Sequence, residues 1–120
     1  QESTRIKGLS TAELCPFEDN RGHIWTLFDQ NDWHTGFVED KLSISSKNVL
    51  RGLHGDKTTD KLISCLAGSF FLVVVDARLQ SPTYGNIEIF VVDDKNPKLN
   101  GLSTTKIPKI KLHANGMINN

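Results

Sequence analysis

The sequence holds little that is reactive by itself: among 120 residues there are two cysteines, one methionine and one tyrosine. Cys15 and Cys65 form no CxxC pair, so a thiol nucleophile has no local support. Cys65 lies in the apolar run Leu62-Ile63-Ser64-Cys65-Leu66, where a thiol behaves as a small buried hydrophobe. No signal-like opening segment precedes them, and a reduced, cytoplasmic protein is expected. No apolar stretch nears the roughly 20 residues that a membrane helix requires, so no membrane contact is expected. An excess of either charge is missing as well, because 14 lysines and arginines balance 14 aspartates and glutamates. That balance gives no general attraction to nucleic acid, yet a local group of arginines can still hold a small anion. The histidines His23, His34, His54 and His113 are too scattered for a sequence-local metal site, and no glycine-rich phosphate loop occurs. Neither a metal nor a cofactor is expected.

Long helical periodicity is also lacking. Only Ser10 to Leu14 suits a single helical turn, with Ser10 as its cap. What remains reads as short strands between turns. Asp19-Asn20-Arg21-Gly22 is a turn cluster leading into the β-rich pentad Ile24 to Phe28. Leu42 to Ser45 alternates apolar and polar residues, as a half-buried strand does. Lys61 to Leu66 precedes Ala67-Gly68, and the run Phe70 to Val75 is apolar on both faces, which suits a central strand. Ser81-Pro82-Thr83-Tyr84-Gly85 forms the next turn, and Ile87 to Val92 alternates again. Strands every ten to fifteen residues predict one all-β domain over residues 1–120, a sandwich, jelly roll or barrel.

The densest group of reactive side chains is Arg51-Gly52-Leu53-His54-Gly55-Asp56, with Lys61 beyond it and Asp76 and Arg78 after the next strand. Read without further context, His54 is a surface or hydrogen-bonded residue, Lys61 a solvated strand end, and Asp76 with Arg78 a strand-terminal pair. If Leu50 to His54 is extended, Arg51 and His54 fall on opposite faces.

Arg51-Gly52-Leu53-His54 followed by Lys61-Leu62 resembles the core signature of the dTDP-4-dehydrorhamnose 3,5-epimerase family. Glu18-Asp19-Asn20-Arg21-Gly22, Phe37 to Ser45, Val74-Val75-Asp76-Ala77-Arg78, Ser81 to Gly85, and Ile107-Pro108 with His113 resemble further family segments in order. The resemblance implies a cupin-type jelly roll (a double-stranded β-helix) lacking the family's last strands. It further implies a homodimer that takes a nucleotide-diphosphate keto-sugar and works in bacterial surface polysaccharide synthesis. By the same resemblance His54 is the base, Lys61 supplies positive charge to an enolate oxygen, and Asp76 lies in the same pocket. Arg21 and Arg51 match arginines that hold the diphosphate, where a planar fork suits phosphate oxygens. Glu39, Lys41 and His113 complete the substrate-binding set that it implies. The chemistry suits these residue types: a proton beside a ketone is weakly acidic, so a base must meet a stabilised enolate.

Departures point toward relatives acting on other keto-sugars. Glu39 and Lys41 stand where the family usually has glutamine and asparagine, and Gly55-Asp56 follows His54 in place of Tyr-Gln. The family's acid is a tyrosine beyond the second histidine. Tyr84 matches a turn residue instead, so the chain reads as a fragment of a longer enzyme or a shortened relative. A non-catalytic sugar-nucleotide-binding cupin and a nucleotide-sugar ketoisomerase are the competing expectations.

Overall fold

The computed structural model describes residues 1–29, 31, 37–53, 55 and 60–95, together with the backbone of the strands Lys98–Leu102 and Ile110–Met117. Every regular element among the described residues is a strand, nine in chain order. They are β1 (Leu9–Glu13), β2 (Phe17–Asp19), β3 (Gly22–Ile24), β4 (Val49–Leu50) and β5 (Lys61–Ile63). Beyond them come β6 (Ser69–Asp76), β7 (Ile87–Asp93), β8 (Lys98–Leu102) and β9 (Ile110–Met117). One sheet has the order β1-β8-β5, another β4-β9-β6-β7, and β2 and β3 form a hairpin. All pairings between these strands are antiparallel. The all-β expectation therefore holds, although no closed barrel appears among the described residues.

Strand β6 explains the layering. Its run of β-branched and aromatic residues favours an extended backbone, and successive side chains alternate between faces. Leu72, Val74 and Asp76 are fully buried on one face, whereas Phe71 on the other remains 42% exposed. Across the pair, Phe70 opposes Val92 and Leu72 opposes Phe90, which places the buried face of β7 on the same side. Ile6, Leu9, Cys65, Leu72, Val74 and Val92 form the core, with Ile63, Phe70 and Phe90 packed against it. The core thus lies between the two larger sheets. Each of its larger apolar side chains contributes about 1.5–3 kcal/mol by leaving water.

Three local expectations give way. Ser10 to Leu14 is not a helical turn: Leu9–Glu13 is β1, paired residue by residue with β8, and these ladder bonds outweigh a weak local cap. Strand structure ends at Ile24, so Trp25 to Phe28 lie outside it. Leu42 to Ser45 forms no strand and its apolar residues stand in solvent, Leu42 at 71% and Ile44 at 75% exposure. In both segments the side-chain pattern suits a strand, but no described strand lies alongside to complete a ladder.

Candidate functional site

Lys61 opens β5, directly after the described residue Asp60. Two independent features fix the side of the sheet it occupies. Strand alternation puts it on the face of Ile63, which packs against the core. Its register partner is Leu102, which also pairs with Leu9, and Leu9 is fully buried. Residues directly opposite one another in an antiparallel ladder share a face, so Lys61 belongs to the inner face of its sheet. Its ammonium has no hydrogen-bond or ion-pair partner among the described residues. Lys61 is half-buried as a residue, and an ammonium with no counter-ion among the described residues is suited to an anionic or electron-rich guest.

Asp76 closes β6 on the buried face of the facing sheet and is fully buried. Arg78 grips it through Nε and Nη2, each at 2.7 Å, and donates its backbone N–H at 3.1 Å. The hydroxyls of Ser81 and Thr83 donate to the same carboxylate, both at 2.6 Å. Burial by itself would push this carboxyl upward, but the bonds from Arg78, Ser81 and Thr83 prevail and hold it down at about 2. Both oxygens are occupied by these neighbours, so Asp76 fixes the turn that follows it. The strand-terminal pairing with Arg78 is legible in the sequence. The two hydroxyls escape that reading, although Ser-Pro-Thr after a buried aspartate is the available signal.

The remaining candidates are distributed. Arg21 sits in the β2–β3 turn, where Gly22 adopts a φ of 135° that side-chain-bearing residues avoid. Its Nη2 lies 2.6 Å from Asp19, and the bond to this guanidinium lowers the Asp19 pKa and raises that of Arg21. A hollow of about 250 Å³ beside them is lined by Phe17, Asp19, Arg21, Gly22, His23 and Ile24. Trp25 stands edge-on to His23 with ring centroids 5.7 Å apart. Arg51 donates from Nε to the Ser45 hydroxyl at 3.0 Å, and Lys41 pairs with Glu39 at 3.2 Å. Each of these charges is exposed and bonded within its own stretch of chain. His113 lies on β9 with its backbone opposite Val73. His54 lies outside the described residues. Tyr84 belongs to the turn after Arg78, where its N–H donates to the Ser81 carbonyl at 3.1 Å. No group of three or more metal-ligating side chains is found among the described residues.

Two antiparallel sheets enclosing an apolar core, with Lys61 on the inner face of one, define a small β-sandwich of the cupin type. The chain belongs to the dTDP-4-dehydrorhamnose 3,5-epimerase family, whose model matches residues 3–101. It is 40% identical over 91 residues to the dTDP-4-dehydrorhamnose 3,5-epimerase of Escherichia coli (strain K12), covering 68% of this chain and 49% of that protein. With the Methanothermobacter thermautotrophicus enzyme of the same name it shares 34% over 100 residues, covering 78% and 54%. The chain therefore spans about half the length of the curated relatives it matches. Among solved structures, a Legionella pneumophila 3,5-epimerase in complex with dTDP-4-keto-L-rhamnose superposes with a TM-score of 0.82 at 30% identity. That match covers 98% of this chain and 64% of the other. An epimerase from Mycobacterium tuberculosis has the same fold, with a TM-score of 0.84 at 23% identity, covering 99% and 62%.

Proposed function

We propose that this chain carries the proton-abstracting part of a nucleotide-diphospho-4-keto-sugar epimerase, acting at one or both carbons beside the ketone. The observation that carries this reading is the inward placement of Lys61, in register with the buried Leu9. An ammonium on that face stabilises the oxygen of an enolate where water is scarce, and there its charge counts for more than in solvent. His54 is the base in this reading, taking the proton from carbon. Asp76 serves it by fixing the end of β6, since its carboxylate is already fully engaged.

Arg21 and Arg51 bind the diphosphate, with Glu39, Lys41 and His113 on the remainder of the substrate. The named activity of the relatives supports a dTDP-linked sugar. A homodimer accompanies this reading. Phe17, Ile24, Val38, Leu42 and Ile44 are all at least two-thirds exposed, and a second copy of the chain would cover them. The enzyme so described is cytoplasmic and needs no cofactor.

Incubating the chain with a dTDP-4-keto-6-deoxy-sugar in heavy water tests this reading. Deuterium appearing beside the ketone is the expected result, and His54→Asn abolishes it while nucleotide binding persists. Binding without any deuterium uptake by the parent chain would replace the enzyme with a sugar-nucleotide-binding module. Movement of the carbonyl along the sugar would make it a ketoisomerase.

A further inference from the structure

Arg78 is a buried cation, only 6% exposed, whose bonds extend beyond its aspartate. Besides Asp76, its Nη2 donates to the carbonyl of Lys7 at 2.7 Å, a residue 71 positions away in the chain. Around this bond the opening segment is fastened repeatedly to the β6–β7 turn. The Lys7 N–H donates to the Thr83 hydroxyl at 3.2 Å, and Asn86 Nδ2 donates to the Arg5 carbonyl at 2.8 Å. Ser3 Oγ is bonded to the Glu88 carboxylate. Ser3 to Leu9 is thus strapped across one end of the inter-sheet space, with Ile6 and Leu9 inserted and fully buried. Leu9 begins β1 and heads the row Leu9–Leu102–Lys61.

We propose that Arg78 is a positioning residue for Lys61: by clasping the Lys7 carbonyl to the Asp76 carboxylate, it holds the strap in place and so fixes that row. Neutralising Asp76 alone would call for a single cation with no bond to a distant carbonyl. A guanidinium has donors enough for both, in a rigid planar fork, whereas a lysine ammonium is a point charge on a flexible stem. A displaced ammonium loses much of its effect on a developing charge, because stabilisation of this kind depends on preset geometry. The inference rests on the proposed role of Lys61.

Arg78→Lys tests it with two readings on the whole chain. The first is backbone amide exchange, where protection of Ser3 and Leu9, which donate to the carbonyls of Leu9 and Ile6, is followed. We expect their protection to fall by about tenfold or more while the β6–β7 ladder changes less than about twofold. The second is deuterium uptake by the keto-sugar nucleotide, where turnover falls about tenfold and KM stays within about twofold. Should Arg78→Lys fail to fold, Thr83→Val removes the neighbouring clasp on the Lys7 N–H and is expected to shift both readings the same way. Unchanged strap protection overturns the clasp, and a loosened strap with parental turnover overturns the positioning of Lys61. A parent chain that takes up no deuterium refutes the reading of Lys61, and the strap measurement then decides the clasp by itself.

Discussion

Among single side chains, the most consequential contrast is between two charges placed on inner faces. Asp76 accepts hydrogen bonds from three side chains, whereas Lys61 has no partner among the described residues. The first is therefore a structural anchor with a measurable acid signature. Its carboxyl is held at about 2 in the folded chain against 3.8 without partners. A depressed folded pKa contributes stability that is complete above the unfolded value and disappears as pH falls through the folded one. The loss is on the order of 2 kcal/mol between about pH 4 and pH 2. Urea titrations across that range are expected to show the loss in the parent chain. In Asp76→Asn, which is already destabilised by about 3 kcal/mol at neutral pH because Arg78 is left without its counter-charge, this part of the acid slope disappears.

The strands show which parts of the fold local sequence can specify. Phe70 to Val75 is legible because its β-branched and aromatic residues favour extension, and Ile87 to Val92 because its alternation matches a half-buried face. Their register, with Leu72 opposite Phe90, separates an inner from an outer face. Leu72→Ala is expected to cost about 2–5 kcal/mol, whereas Val91→Thr on the exposed face changes stability by less than about 0.5 kcal/mol. Equal effects in chemical denaturation would contradict this register. By contrast, β1 is hidden because Ser10, Ala12 and Glu13 carry no strand preference and gain their conformation from β8, which lies far along the chain. The segment Leu42 to Ser45 shows the reverse case, a strand-like pattern without a neighbouring strand. The Asp76–Arg78 pair is visible as closely spaced opposite charges at a strand end. Its links to Ser81, Thr83 and Lys7 depend on how the chain folds back, which spacing does not reveal.

Taken as a whole, the described residues form two sheets packed on an apolar core, with exposed segments that carry most of the substrate-binding candidates. Arg21, Arg51 and the Glu39–Lys41 pair all project from these outlying stretches, while Lys61 and Asp76 belong to the packed body. In the proposed enzyme, Lys61 in the packed body stabilises the enolate and the outlying stretches hold the nucleotide. The class is legible in the residues alone because Arg51 to His54 with Lys61 is joined by further matching segments in order along the chain, each of them weak by itself. The inward orientation of Lys61 is not legible there, because it follows from the pairing of β5 with β8 and of β8 with β1. The most direct measurement compares the parent chain with Lys61→Met for deuterium uptake beside the ketone of a dTDP-4-keto-6-deoxy-sugar. Removing the ammonium is predicted to slow uptake by about 10²–10³, with dTDP binding retained. Uptake at the parental rate would contradict a cationic role for Lys61.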